Sequence, residues 1–528
     1  MIENDIDNLN RIAESEEKID IINFFKTENN RVDEFSIDTK EIFLDFSKNH
    51  FSNKTLQELI GFGNNLGFQN KVLQMFEGKE VNSTEKRKVL HFLLRNHSND
   101  QFNHLSNEKE IIKKQLAELE SLVNDLKDKR TAKRPASAFK NIIVVGIGGS
   151  HLGPELVSEA LINYHQKPFN MQFLVNADHT EFDLKTGRLD ARKTLIVVIS
   201  KSMTTAETIL NLKALKEWLI SQGVDKSKIG NHFVIVSGQN AEHDEIDFKP
   251  FRRLRFEEWV GGRFSLWSSA GLPIALQIGF KNFERLLAGA AAVDEAFLNV
   301  DIQRNIPKIL ALIAFWNNNC MNKPSYAVIP YDTRLKLLPQ YLQQLEMESN
   351  GKSVGIDGKM LRQHSAPLTW GGIGTSSQHA VFQFLHQSTY KVPIDFIMTL
   401  ESPESHSELH RNQVANCIAQ SEALMVGNKN NIDKTTEPYK LISGNVPSNT
   451  IILKKLTPYS LGSLLAIYEH KTFFLSTILS INAFDQWGVE KGKLLAKTIE
   501  TDLKRKRMSP HDPSTEKLLS LFLKHNED

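Results

Sequence analysis

The segment QQLEMESNGK at residues 343–352 sets two carboxylates, Glu346 and Glu348, two positions apart and follows them with Ser-Asn-Gly-Lys. A carboxylate near the end of a helix that stops at Asn-Gly can face a substrate and act as a general base. Acids on helices are more often only solvated, so spacing alone leaves the two glutamates equal. Whether either has a substrate depends on what the rest of the chain can hold.

Two segments are suited to an anion. GIGGSHLGP at 146–154, with Gly149 and Ser150 in it, follows an apolar run and opens a helix. Its glycines let backbone approach a ligand, and a helix start offers free N–H groups to negative charge. His151 stands where a dinucleotide fingerprint needs its third glycine, and the segment lacks the Gly-Lys-Ser/Thr ending of a P-loop. Such a turn is often merely structural, and by itself its ligand role stays open. SKSMTT at 200–205 closes a second apolar run ahead of a helix expected over 206–219. Ser200, Lys201, Ser202, Thr204 and Thr205 offer hydroxyls and a cation at a strand's C-terminal end, which suits a phosphate monoester. Thr205 can equally serve only as a helix cap.

WVGGRFSLW at 259–267 places Arg263 after two glycines, where a cation held close to backbone can stabilise a developing oxyanion. The plainer alternative is a weak surface ion pair. In GTSSQH at 374–379, His379 is expected at a helix start facing a pocket, with His386 packed inside the fold. QWGVEKGK at 486–493 carries Gln486 and Lys493, and a lone lysine there reads as solvated.

The elements that must position these groups read as α/β. Residues 1–130 are polar and helical in pattern, with Ile112, Leu116, Leu119, Val123 and Leu126 on one face of an amphipathic helix. Thr131 to Pro135 breaks the pattern. Near-continuous apolar runs at 141–145, 173–175, 194–199 and 233–236 then alternate with helical stretches, the mark of a parallel sheet covered on both faces. A second series occupies 326–329, 394–397 and 450–453, after which Thr457-Pro458 starts a long helix running towards Asp485. The expected organisation is a helical region at 1–130, two tandem doubly wound α/β domains at 131–290 and 305–488, and a C-terminal helical arm at 489–528.

The chain's 528 residues exceed one ordinary core, and about 150 residues per domain suggests two to four units. Its 64 basic and 63 acidic residues leave a net charge of +1, which gives no reason to expect a nucleic-acid or membrane partner. Lys504-Arg505-Lys506-Arg507 is the densest basic run and reads as a solvated helix face. With two cysteines, an acidic N-terminus and no apolar run of about 18 residues, the chain reads as a protein of a reducing, cytoplasmic compartment.

Taken in order, GIGGSxLGP, SKxxTTxET, WVGGRFSLW, MESNGK, GTxxQH and DQxGVExGK make residues 141–493 resemble the phosphoglucose isomerase family. The resemblance implies two sugar-isomerase (SIS) domains with helical arms. It implies reversible conversion of glucose 6-phosphate to fructose 6-phosphate through a cis-enediol, in glycolysis and gluconeogenesis, without metal or organic cofactor. Glu348 matches the base that moves a proton between C1 and C2, and Arg263 the group that stabilises the enediolate. His379 and Lys493 match residues associated with ring opening. Ser200, Lys201, Ser202, Thr204 and Thr205 match the phosphate turn, Gly149 and Ser150 the first sugar-contacting loop, and Gln344 and Gln486 further substrate contacts. Glu346 then reads as structural support for its turn. The resemblance also implies a homodimer in which His379 reaches the neighbouring subunit's site. Ser202, Ser376-Ser377, Lys491 and His151 depart from the commoner pattern, and none removes a catalytic group. Other readings are a different phosphosugar activity on the same scaffold, such as a mannose-active isomerase, or a non-catalytic sensor. A sensor is expected to lack Glu348, Arg263 or Lys493, and all three are present.

Overall fold

The structure is a computed structural model that describes residues 2–127, 139–166, 169–241, 244–401, 407–428, 437–505 and 509–526. The break expected at 131–135 and part of the basic run, Lys506 and Arg507, lie outside them. The chain divides into a large unit, Met1–Ala483, and a small one, Phe484–Asp528.

The N-terminal region is not wholly helical. It contributes a hairpin, β1 (Ser36–Asp38) and β2 (Ile42–Asp45), whose strands pair antiparallel. Ile42 and Leu44 are buried while Phe43 and Asp45 are half-exposed, a period of two too short to stand out among helical segments. The expected amphipathic helix is α1 (Ser106–Lys127), and it buries Ile112, Leu116, Leu119, Val123 and Leu126.

The first sheet holds β3 (Asn141–Val145), β4 (Asn170–Leu174), β5 (Thr194–Ser200), β6 (Phe233–Gly238) and β7 (Arg252–Phe256) in the order β4-β3-β5-β6-β7. Every neighbouring pair is parallel. β3, β5 and β6 are buried along their whole length, as apolar strands covered on both faces must be. The chain leaves β3 into α2 (Leu152–Ala160) and β5 into α3 (Ala206–Ser221). Since β4 lies on one side of β3 and β5 on the other, the order reverses between β3 and β5. Open α/β sheets bind ligands outside the carboxyl ends of the strands at such a point.

Two long helices, α4 (Phe280–Asn299) and α5 (Ile306–Phe315), precede the second sheet. That sheet holds β8 (Ser325–Pro330), β9 (Leu368–Gly371), β10 (Ile394–Glu401) and β11 (Ser448–Lys455), in the order β1-β2-β11-β10-β8-β9. Its β8 to β11 are parallel, and β2 adds to β11 antiparallel. A segment from the start of the chain therefore completes a sheet formed some 400 residues on, pairing Asp45 with Thr450.

Thr457 caps and Pro458 opens α6 (Pro458–Ile478), with a reciprocal Thr457–Ser460 capping box. This helix is buried almost all round. It stops at Ile478, short of Asp485, because Ser480 takes a left-handed φ of 53° beyond the cap and Ile481 N–H returns to the Ser476 carbonyl at 3.0 Å. A serine instead of glycine at that position hides the stop in the sequence. The small unit contains α7 (Glu490–Arg505) and a second helix, Pro513–His525. No helix among the described residues is long and apolar enough to cross a membrane.

Candidate active site

The turns that leave β3 and β5 emerge side by side, since Val145 and Val198 are register partners. In the first, Gly148 has a left-handed φ of 58°, and a Cβ there would lie 2.9 Å from Gln344 Nε2. A Cβ on Gly149 would lie 2.2 Å from the Gly262 carbonyl oxygen, next to Arg263. The left-handed φ favours glycine at 148 and the backbone contact demands it at 149, and the two approaches bring Gly149, Ser150, Gln344 and the Arg263 turn into one place.

The turn after β5 curls tightly. Met203 has a left-handed φ of 57°, unfavourable for a non-glycine residue, and its N–H donates to Ser200 Oγ at 3.1 Å. Ser202 and Thr204 hydroxyls lie 2.7 Å apart, and the Thr204 N–H donates to Ser202 Oγ at 3.2 Å. Thr205 occupies the N-cap position of α3, yet its side chain makes no capping bond. The hydroxyls thus stand at a helix N-terminus, where backbone N–H groups and the helix dipole favour an anion.

Lys201 has another task. Its ammonium donates to the carbonyls of Glu258 at 2.8 Å and Val260 at 3.0 Å and lies 3.6 Å from the Glu258 carboxylate. Burial lowers its pKa against the pull of Glu258. The lysine ties the anion-ready turn to the approach of the Arg263 segment, instead of extending freely into the crevice.

Arg263 lies in the tight turn Gly262–Trp267 and is 4 % exposed, which excludes the surface ion pair. Its Nε donates to Ser349 Oγ at 2.6 Å and one terminal nitrogen to the Ala483 carbonyl at 2.5 Å. The other terminal nitrogen is 3.5 Å from Glu348 Oε2. The Glu348 side chain keeps 25 % of its exposure, so its carboxylate is both beside a fixed cation and open to a ligand.

The glutamate segment is built to present that carboxylate. A short helix, Leu338–Leu342, widens into a π-turn at Gln343–Glu348, a local geometry common at functional sites. Asn350 Nδ2 donates to the Thr472 carbonyl at 2.9 Å, and Lys352 Nζ to the carbonyls of Ser349 at 2.8 Å and Asn482 at 2.9 Å. Glu346 points the other way. It is 2 % exposed and accepts from Lys471 Nζ at 2.7 Å, and burial raises its pKa against the lysine's effect. The two acids are therefore not equivalent: one is sealed in the core and the other faces the crevice.

His379 is exposed and closes the short helix Gly374–Gln378, so it does not open a helix as expected. The cause is a contact with a distant segment: Gly374 packs its backbone against the ring of Tyr331, just after β8, and Gln378 Nε2 donates to Tyr331 Oη at 2.8 Å. That anchor completes one turn before the histidine. His386 is half-buried and meets Gln420 Oε1 at 3.0 Å. In the small unit Gln486 precedes the turn Trp487–Val489, and Lys493 lies on α7, 65 % exposed and 2.8 Å from Glu490. His151, one of the departures noted above, lies 3.3 Å from Glu155.

Glu469 and Lys471 escaped the reading of the sequence, while Ser349, Lys352 and Trp267 entered it only as members of motifs, without the partners the structure gives them. A signal was present, since Glu469-His470-Lys471 interrupts an otherwise apolar helix, and buried charge demands a partner.

The sequence profile of the family described as phosphoglucose isomerase matches residues 45–519. A glucose-6-phosphate isomerase of Wigglesworthia glossinidia brevipalpis is 39 % identical over 96 % of this chain and 95 % of its own. One from Chlorobium phaeobacteroides is 40 % identical over 96 % and 93 %. Among solved structures, a glucose-6-phosphate isomerase from Chlamydia trachomatis superposes with a TM-score of 0.87 at 30 % identity, covering 98 % of each chain. With its two sheets and these motifs in order, the chain belongs to the phosphoglucose isomerase family.

Proposed function

We propose that Glu348 is the base with which this isomerase interconverts glucose 6-phosphate and fructose 6-phosphate, moving a proton between C1 and C2 through a cis-enediolate. The observation that carries the assignment is the Arg263–Glu348 pair: a buried guanidinium 3.5 Å from a partly open carboxylate. Abstraction of a proton next to a carbonyl is slow because negative charge must develop. A positioned base contributes roughly 10²–10⁴-fold. A fixed donor such as Arg263 adds about 3 kcal/mol where that charge forms. The substrate phosphate is taken by Ser200, Ser202, Thr204, Thr205 and the start of α3, with Lys201 holding that turn in place. Binding energy from this remote group serves to orient the reacting carbons. Gly149, Ser150 and Gln344 line the approach to the sugar.

His379, Lys493 and Gln486 complete the reading, the first two in opening the sugar ring and Gln486 in holding it. His379 is exposed on its own chain, which fits a homodimer in which each copy lends it to the other's site. Cys320 and Cys417 are unpaired thiols, in keeping with a cytoplasmic protein. In this reading the first sheet belongs to a SIS domain at 131–290 and strands β8 to β11 to a second at 305–488, to which the N-terminal hairpin β1–β2 adds.

The deciding experiment is a coupled assay of Glu348→Gln with glucose 6-phosphate, fructose 6-phosphate and mannose 6-phosphate, without added cofactor. Isomerisation is lost by about 10³-fold or more, while inorganic phosphate still competes for binding. Turnover near wild type removes Glu348 from the mechanism.

A further inference from the structure

One turn of α6 contacts both catalytic segments. Glu469 accepts from Trp267 Nε1 at 2.7 Å, and Trp267 closes the turn that carries Arg263. Two residues on, Lys471 donates to Glu346 at 2.7 Å, at the heart of the π-turn that carries Glu348. The Thr472 carbonyl accepts from Asn350 in the same segment at 2.9 Å. Residues two apart on a helix point about 200° apart, so a rigid length of helix reaches out in two directions to the two turns.

The far side of this length is itself fixed. Arg95 donates to Glu469 Oε2 at 2.7 Å and forks onto Asp294 of α4 at 2.6 Å, and His470 meets Asp294 at 2.6 Å. All four side chains are fully buried. The Lys471 ammonium also lies 4.0 Å from the centre of the Tyr326 ring on β8.

Apolar side chains of similar volume hold helices and turns together at least as well as a buried ion pair, which loses hydration when it forms. What an ion pair adds is direction, since only one arrangement satisfies it. Here that arrangement ends at two turns whose functional groups must stand a fixed distance apart, and a misplacement of about 1 Å can cost about 10²-fold in rate.

We propose that Glu469 and Lys471 are positioning residues that set the Arg263–Glu348 separation, Glu469 acting through Trp267 and Lys471 through Glu346. The proposal rests on the assignment of Arg263 and Glu348 made above. The test is the paired variant Glu346→Met with Lys471→Met, which removes both charges together and leaves no buried ion without its partner. It is read beside Trp267→Phe, which deletes one N–H donor and keeps most of the ring.

Each variant folds, with a melting transition as cooperative as that of the wild type. For each, kcat falls about 10- to 100-fold with KM for fructose 6-phosphate within about twofold, the pattern of an interaction needed in the transition state. Inhibition by inorganic phosphate is unchanged. Binding of 5-phosphoarabinonate, whose carboxylate mimics the enediolate, weakens in step with kcat. A folded Met pair with kcat within about twofold of wild type overturns the proposal, as does an equal loss of phosphate binding. If the Met pair fails to fold, Trp267→Phe decides alone, and unchanged kcat overturns it. Glu348→Gln in the same assay separates the two readings. An active Glu348→Gln removes the catalytic assignment, whereas an inactive one beside a fully active Met pair removes only the positioning role.

Discussion

Among the hydroxyls after β5, Ser200 and Thr205 differ from their neighbours. Ser202 and Thr204 share one hydrogen bond that uses one of their two O–H donors, whereas among the described residues Ser200 accepts from Met203 and donates to no group, and Thr205 makes no capping bond. Both therefore retain a donor for a phosphate oxygen. A hydrogen bond to a charged group is worth about 1.5–3 kcal/mol. Ser200→Ala with Thr205→Ala removes two such bonds, about 3–6 kcal/mol where they add, and is accordingly expected to raise KM about 100-fold or more with a smaller change in kcat. Steady-state kinetics check this, and an unchanged KM places the phosphate elsewhere. The same scale shows what residue types conceal. Lys201 looked like a further phosphate donor by composition, yet its ammonium is held by two carbonyls, a partnership made by chain 57 and 59 residues away.

At the scale of elements, the site depends on turns packed closer than side chains allow. The Gly149 loop rests on the Gly262 carbonyl, and any Cβ there meets backbone at 2.2 Å. Gly149→Ala must push the loop away from the Arg263 turn. We expect kcat/KM to fall about 10²-fold, by the sensitivity of rate to small misplacements, in a protein that still folds. An alanine variant with wild-type kinetics would mean that the contact is not required. The strand-turn-helix frame of these loops was legible, because β3 and β5 are near-continuous apolar runs, followed by Gly146 and closed by Ser200. The hairpin β1–β2 was not, because it has few residues and becomes a sheet edge only by pairing with β11. The end of α6 was hidden for a related reason: Ser480 takes a conformation that its type does not announce.

The whole molecule carries a pH signature. Burial lowers the pKa of His50, His91, His97, His232 and His470 below histidine's ordinary 6.5. Near and below that value the unfolded chain binds more protons than the folded one. The stability these histidines contribute is thus full above 6.5 and is lost as pH falls, at up to about 1.4 kcal/mol per pH unit each. Raised carboxyls oppose this on acidification, chiefly Glu469, which burial holds at about 6. Over the interval from about pH 7.5 to about 6 the histidines outweigh it. The melting temperature is expected to fall across that interval, and a flat or rising profile would show that these rings are already charged in the fold.

The chemistry of this protein was set by local sequence. Which residue types meet a phosphate, which glycine turns follow a strand, and the order of motifs that marks the family are properties of short segments, and neighbours in the chain suffice to express them. The choice between Glu346 and Glu348 was different in kind, because the two acids sit two residues apart with the same intrinsic chemistry. Family likeness pointed to the second, but the physical distinction is tertiary. Lys471, 125 residues on, draws Glu346 into the core, while Arg263, 85 residues back, holds Glu348 at the crevice. Desolvation and charge partners separate the roles of such groups, and both arise only when distant segments of the chain pack together.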